Sequence, residues 1–140
     1  VLMVQKEVAE RVAAKPPKMN LLAAATQVWA DVEILFTLPA TDFDPPPEVE
    51  SSVIRLVSRI WNLESRKTEE YYNFIHRAFK QPRKTLLNNL SETREHENIK
   101  TLEQKNTKTK EEILLELAKF GFNEKTRAQE LTIDQLKQLC

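Results

Sequence analysis

FDPPPEVESSVIRL, residues 43–56, is the stretch of this chain that constrains its fold most. Three consecutive prolines fix φ and offer no N–H, so they cannot lie inside a helix or a central strand. They hold a stiff approach to the β-branched run Val53–Val57, which predicts a strand. Phe43 precedes this loop, where its ring could stack on a planar ligand such as a base. From the residues alone, packing of Phe43 against the strand is the favoured role.

The segment before the proline loop predicts a second strand. Asp31–Leu38 alternates apolar and polar side chains, with Leu35 as the exception, and this period of two is typical of a strand. The apolar face is expected to consist of Val32, Ile34, Phe36 and Leu38. Two strands joined through a loop of this length can pair antiparallel.

Upstream of these strands the pattern changes between strand and helix. Leu2–Val4 is a short apolar stretch and is expected to be the buried end of a strand. Glu7–Ala14 has the spacing of a helix, and Pro16 follows it as a stop signal. A second helix is expected at Leu21–Trp29.

After about residue 60 the composition shifts to helices and charged loops. Thr68 is expected to cap a helix that begins with the acidic residues Glu69 and Glu70. The apolar stripe of this helix comprises Tyr71, Ile75, Ala78 and Phe79. Pro82 then ends the helical pattern, and Thr85–Leu90 predicts another helical turn or two.

Two capping boxes mark helix starts near the end of the chain. Thr109–Glu112 opens a helix that is expected to end just before Gly121. Thr132–Gln135 opens a short terminal helix. The stretch Glu92–Lys110 is highly charged and poor in apolar residues, and it is expected to be exposed and mobile.

Several blocks of the chain carry a resemblance to a known family. Residues 43–53 fit the pattern Phe-x-Pro-x-Pro-x-Val-x-Ser-x-Val, and the further blocks are Gln5–Arg11, Phe79–Leu90 and Arg127–Thr132. Together and in this order they resemble the ribosomal RNA adenine N6-dimethyltransferases. The proline signature is shared with a related enzyme that methylates a large-subunit adenine, whereas the blocks Phe79–Leu90 and Arg127–Thr132 favour resemblance to the small-subunit enzymes. The resemblance implies an α+β fold: a C-terminal remnant of a Rossmann-like methyltransferase sheet in residues 1–59, and a small all-α RNA-binding domain in residues 60–140.

Two motifs of that family are absent from this chain. The S-adenosylmethionine loop is rich in glycine because the backbone must approach the cofactor closely, whereas this chain has one glycine, Gly121. The family's catalytic Asn-Leu-Pro-Tyr motif is also missing, since Asn62-Leu63 and Asn89-Leu90 are not followed by Pro-Tyr. The chain is therefore expected to be the C-terminal part of an enzyme, with no catalytic or cofactor-binding residues, and to be inactive alone.

Positive charge is concentrated in residues 71–91, which contain no acidic residue. The whole chain is balanced, with 21 Lys and Arg against 21 Asp and Glu. The cations of this window, interleaved with His76, Asn88 and Asn89, are Arg77, Lys80, Arg83 and Lys84. They are expected to contact ribosomal RNA phosphates; a solvated helix face is the alternative. The resemblance further assigns Phe43 as the platform on which the target adenine stacks.

Gln5, Lys6 and Glu7 follow a strand end, which is where open α/β sheets place ligand-binding residues. A structural ion pair is an equally good role for Lys6 and Glu7. His76, His96 and Cys140 are far apart in sequence and suggest no metal site. No apolar run approaches the roughly 20 residues of a membrane span.

The resemblance implies a parent enzyme that dimethylates N6 of adenines in small-subunit ribosomal RNA. It would use S-adenosylmethionine and act in ribosome biogenesis, as a cytoplasmic monomer whose partner is the small-subunit RNA. One alternative is a stand-alone, non-catalytic module for ribosomal RNA binding or ribosome assembly. A helical protein-interaction domain is a further alternative.

Overall fold

A three-stranded antiparallel sheet places the strand after the proline loop at its centre, in the order β1-β3-β2. The structure is a computed structural model that describes residues 1–59, 65–96 and 109–140. The strands are β1 at Leu2–Gln5, β2 at Ala30–Leu38 and β3 at Ser51–Ser58. The antiparallel pairing of β2 with β3 through the proline loop confirms that prediction.

The helices fall between β1 and β2 and after β3, which gives an α+β chain. Their bounds are α1 at Lys6–Ala13, α2 at Leu21–Gln27, α3 at Ser65–Ala78, α4 at Leu86–His96, α5 at Lys110–Lys119 and α6 at Ile133–Leu139. Short 3-10 turns occupy Ala40–Asp42 and Ala128–Glu130. No helix among the described residues is long and apolar enough to cross a membrane.

Backbone contacts divide the chain into two units. The first comprises Val1–Lys15 and Leu22–Asn62, and the second comprises Pro16–Leu21 and Leu63–Cys140. In the first unit α1 packs against β2 and β3. In the second, the Met19 N–H donates to the Gln129 carbonyl at 3.1 Å. The assignment of residues 1–59 to a methyltransferase sheet and of 60–140 to RNA binding concerns function, and it stays a prediction.

A β-bulge explains why Leu35 interrupts the alternation of β2. Ile34 pairs with Ile54, but Phe36 pairs with Val53, so the register shifts by one residue at Leu35. Directly paired residues share a face of the sheet, so Phe36 moves to the face opposite Ile34. The prediction of one continuous apolar face along β2 was therefore wrong beyond the bulge, and Phe36 is 53% exposed.

The prediction that Leu2–Val4 is a buried strand end was also wrong. Leu2 and Met3 are 51% and 55% exposed. The strand β1 lies at an edge of the sheet and pairs with β3 along its inner side. Its apolar side chains have only one neighbouring strand among the described residues, which leaves them half uncovered.

The second unit has a helical core that matches the predicted apolar stripe. Tyr71, Ile75, Ala78 and Phe79 are all buried, and α3 packs against α4. Burial raises the pKa of the Tyr71 hydroxyl, so the ring stays neutral in this core. The sequence predicted this stripe because helical spacing brings these residues onto one face.

The predicted bounds of two helices differ from the structure. The helix α3 begins at Ser65, so Thr68 lies within it and does not cap it. Residues 65–67 contain no helix breaker, which allows the extra turn. The helix α4 continues to His96, so the start of the predicted mobile stretch is helical. Residues 97–108 of that stretch lie outside the described residues.

Both predicted capping boxes are confirmed. The Thr109 hydroxyl accepts the Glu112 N–H at 3.3 Å, and the Glu112 carboxylate accepts the Thr109 N–H at 2.6 Å. Thr132 and Gln135 exchange the corresponding bonds at the start of α6. Gly121, with φ of 79°, adopts the left-handed conformation that ends α5.

The helix α5 offers a matched pair of leucines that tests its packing. Leu117 is fully buried, whereas Leu115 is 63% exposed. Leu117→Ala should lower the free energy of unfolding by about 2–5 kcal/mol, because it leaves a cavity. Leu115→Ala should change it by no more than about 0.5 kcal/mol. Urea denaturation of both variants measures the difference, and equal effects would contradict the orientation of α5.

Candidate nucleic-acid interface

One end of the sheet brings together two segments that the sequence singled out separately. Ser51 pairs with Gln5 on one side and with Leu38 on the other. The proline loop, residues 39–50, leaves β2 at Leu38 and returns at Ser51, so it lies where β1 passes into α1. The loop that carries Phe43 and the Gln5–Glu7 segment therefore share this end, which we call the sheet end.

Phe43 is held at the start of the proline loop by a single helical turn. Its N–H donates to the Ala40 carbonyl at 3.3 Å, and the Asp42 N–H donates to the Pro39 carbonyl at 3.1 Å. The side chain is half-buried, and the Asp44–Pro45 peptide bond is cis. Phe43 is therefore partly covered by the protein and partly exposed to solvent.

Lys6 connects the start of α1 to the last residue of the proline loop. Its N–H donates to the Glu50 carbonyl at 3.0 Å, and its Nζ lies 2.6 Å from Glu50 Oε2. The hydrogen bond and the negative charge of Glu50 raise the pKa of the Lys6 ammonium above its ordinary 10.5. The Lys6 ammonium is therefore charged at neutral pH. This contact favours the structural role for Lys6.

The predicted basic window separates into exposed and engaged cations. Lys80 and Arg83 are exposed, and Lys84 is half-buried. Arg77 is also half-buried, and its Nη2 donates to the Leu90 carbonyl at 3.2 Å. Arg77 thereby links α3 to α4, so at least one N–H group of its guanidinium is used within the protein. Lys80, Arg83 and Lys84 lie on the turn between these helices, which we call the basic turn.

Asn89 supports the basic turn from inside. It is buried, and its Nδ2 donates to the Ala78 carbonyl at 2.8 Å and to the Gln81 carbonyl at 3.0 Å. These carbonyls belong to the end of α3 and to the turn after it, where helical acceptors lack partners. Asn89 is thus a structural residue, unlike its neighbour Asn88, which is exposed.

A second cationic loop lies beside the basic turn. The Leu86 N–H donates to the Thr126 carbonyl at 2.9 Å, which places Lys125 and Arg127 next to the start of α4. Both residues are exposed, as is Glu124 in the same loop. Arg127 belongs to one of the family blocks but is not among the site residues predicted from sequence. Only the long-range backbone bond shows its position.

Within residues 1–59, 65–96 and 109–140, no glycine-rich cradle for S-adenosylmethionine and no metal-binding cluster is found. The junction of β1 and α1 contains Gln5 and Lys6 but no glycine, and Gly121 is used to end α5. The Gly-rich loop that the cofactor requires is therefore not supplied by these residues. No group of three or more His, Cys, Asp or Glu in the described part could hold a metal ion.

The fold of this chain is shared by two solved transferase structures. It superposes with a TM-score of 0.69 and 25% identity on a dimethyladenosine transferase from Plasmodium falciparum, over 99% of this chain and 55% of that one. It also matches the fold of the 23S rRNA methyltransferase ErmE, with a TM-score of 0.68 and 17% identity, over 98% of this chain and 51% of that one.

The sequence matches the family described as Ribosomal RNA adenine dimethylase over residues 1–134. The chain belongs to this family. The Ribosomal RNA small subunit methyltransferase A of Bacillus cytotoxicus is 39% identical over 144 residues, which span 99% of this chain and 46% of that protein. Its namesake from Koribacter versatilis is 47% identical over 94 residues, 64% of this chain and 33% of that protein. The chain thus spans at most about half the length of these relatives.

The support of the basic turn can be tested with neighbouring asparagines. Asn89→Ala should lower the free energy of unfolding by about 1–3 kcal/mol, because two backbone carbonyls lose their buried donor. Asn88→Ala removes an exposed side chain and should change it by less than about 0.5 kcal/mol. Urea denaturation measures both, and an undiminished stability of Asn89→Ala would contradict the supporting role.

Proposed function

We propose that this chain is the C-terminal part of an S-adenosylmethionine-dependent methyltransferase that dimethylates N6 of adenines in small-subunit ribosomal RNA, as a step of ribosome biogenesis. The observation that carries this proposal is the family match over residues 1–134. The names of the relatives supply the small-subunit target. The absence of a Gly-rich loop and of Asn-Leu-Pro-Tyr supports placing the chain in the C-terminal part.

In this proposal Phe43 is the platform for the target adenine. A base edge inside a stacked helix cannot be reached, so the base must be removed from its stack and held flat. The half-buried ring of Phe43 lies at the sheet end, on a loop that three prolines stiffen. A stiff loop holds the ring in place before the base arrives, which reduces the entropy lost on binding.

The basic turn and the adjacent cationic loop hold the RNA backbone. Lys80, Arg83 and Lys84 are the phosphate contacts predicted from sequence, and the structure suggests adding Lys125 and Arg127. Cations that contact phosphates position the nucleic acid without reading its sequence. Arg77 contributes mainly by joining α3 to α4, since its guanidinium also binds the Leu90 carbonyl.

In this proposal, the residues that bind the methyl donor lie in the parent enzyme, outside the 140 residues of this chain. S-adenosylmethionine supplies the methyl group in this reaction class, and no residue described above forms its Gly-rich cradle. The chain alone is accordingly proposed to bind RNA without transferring methyl groups. The same observation favours the second candidate function, a non-catalytic module for ribosomal RNA binding or ribosome assembly. A chimera in which residues 1–140 replace the matching segment of the Bacillus cytotoxicus relative distinguishes the two candidate functions. An active chimera supports the enzyme, and a folded but inactive chimera supports the non-catalytic module.

Substitution of Phe43 in that chimera tests the platform. Phe43→Ala should lower the rate on the order of ten- to a hundredfold, because stacking on an aromatic ring contributes about 1–3 kcal/mol. Phe43→Tyr and Phe43→Trp keep a π-face and should retain much of the activity. Methyl transfer to small ribosomal subunits and the melting temperature are measured together.

Phe43→Leu is the matched control for packing. It keeps apolar volume and removes the π-face, so it should be as slow as Phe43→Ala while melting close to the unsubstituted chimera. If Phe43 has only a core role, Phe43→Ala should instead cost about 3–5 kcal/mol of stability. Full turnover by the folded fraction of Phe43→Ala would rule out the stacking role.

Reversal of two charges tests the basic turn in the 140-residue chain. Arg83→Glu combined with Lys84→Glu removes two phosphate contacts, each worth about 0.7–0.9 in the log–log dependence of RNA affinity on salt. The slope should therefore flatten by roughly 1.5. Fluorescence titrations of a small-subunit RNA fragment at several salt concentrations measure it.

The control for this experiment carries the same change in net charge elsewhere. Lys110→Glu with Lys119→Glu alters two exposed residues of α5. This variant removes no proposed phosphate contact, so its slope should change much less than that of the basic-turn variant. A slope that responds equally to both double variants would place the RNA outside the basic turn.

A further inference from the structure

The proline loop is anchored at both of its ends, and the second anchor has no role in the function proposed so far. The first anchor is the turn at Ala40–Asp42, which holds Phe43 by the bond to the Ala40 carbonyl. The second is Glu50, whose carbonyl and carboxylate both bind Lys6. Between the anchors, the three consecutive prolines at residues 45–47 have little freedom in φ, which restricts the path of the loop.

Lys6 is well suited to be a fixed point. It is the first residue of α1, so its N–H is among those that have no acceptor within the helix. The Glu50 carbonyl supplies that acceptor at 3.0 Å. The helix α1 packs against β2 and β3, so the whole sheet supports Lys6. A backbone bond and a side-chain bond between the same two residues also limit rotation about either one.

The energy of this ion pair does not explain its position. Both side chains are nearly half exposed, and ion pairs of this kind contribute little to stability. The same sheet has a comparable exposed pair, Arg55 with Glu33, which joins β3 to β2 away from the proline loop. What distinguishes the Lys6–Glu50 pair is that it fixes the residue at which the loop rejoins the sheet.

We infer that Lys6 and Glu50 form a clamp that sets the position of the proline loop and thereby of the Phe43 ring. Neither residue needs to touch the base, so both are positioning residues. The inference rests on the proposed function of Phe43 for its catalytic consequence. Its structural part, the hold on the loop, is independent of that function.

Amide hydrogen exchange in the 140-residue chain tests the structural part. Lys6→Met and Glu50→Gln should each speed exchange at the amides of residues 6 and 43 by about two- to fivefold, the range that loss of an exposed ion pair produces. The charge swap, Lys6→Glu with Glu50→Lys, should restore slow exchange. Arg55→Met, which breaks the comparable pair, should leave both amides unchanged. Unchanged exchange in the single variants would overturn the clamp.

Turnover of the chimera tests the catalytic consequence. Lys6→Met and Glu50→Gln should lower kcat by about the same two- to fivefold and leave KM for the RNA unchanged, because the basic turn still holds the substrate. The charge swap should restore kcat, and Arg55→Met should not alter it. A purely structural role would not give a defect confined to kcat that the swap repairs.

Phe43→Ala in the same assay separates the clamp from the proposed function. If Phe43→Ala is slow but Lys6→Met turns over at full rate with a loosened loop, the clamp has no catalytic role and the platform stands. If Phe43→Ala also turns over at full rate, the platform itself is contradicted, and the catalytic part of the inference is overturned with it.

Discussion

The pairing of β3 with a strand on each side is the constraint on which the first unit depends. It sets Gln5, Ser51 and Leu38 in one row and so fixes where the proline loop leaves and rejoins the sheet. The buried Ser52 hydroxyl lies 2.9 Å from the Thr37 hydroxyl, which fits this register alone. A slip of one residue would turn Ile54 out of the core. The backbone hydrogen bonds between the strands thus determine the geometry of the sheet end.

In the second unit, hydrogen bonds from side chains, and not strand pairing, hold the candidate RNA-binding surface in place. Buried Asn89 donates to carbonyls at the end of α3 and in the turn after it. Half-buried Arg77 donates to a carbonyl of α4. Lys80 and Arg83 remain at the surface between them. Buried polar groups need partners, whereas surface cations remain available for phosphate. The number of charged residues in the sequence could not tell which cations bond within the protein and which stay at its surface.

Local signals in the sequence predicted local structure well. The boxes at Thr109 and Thr132 and the turn residue Gly121 depend on neighbours within a few positions, and all three were readable. The bulge at Leu35 depends on the partner strand, so the sequence showed the break in alternation but not the bulge that causes it. The start of α3 was missed because Thr68 is a good cap that the helix does not use. For the site, the role of Lys6 depends on Glu50, 44 positions away.

Family membership and geometry address different parts of the function. The match over residues 1–134 establishes the family, while the contact of RNA with the sheet end and the basic turn is our proposal. Ultraviolet cross-linking of the chimera to small-subunit RNA, followed by mass spectrometry of the peptides, tests both surfaces at once. The account predicts an adenosine adduct on the peptide that carries Phe43 and further adducts on the peptide that carries Arg83 and Lys84. Adducts confined to other peptides of this chain would contradict it.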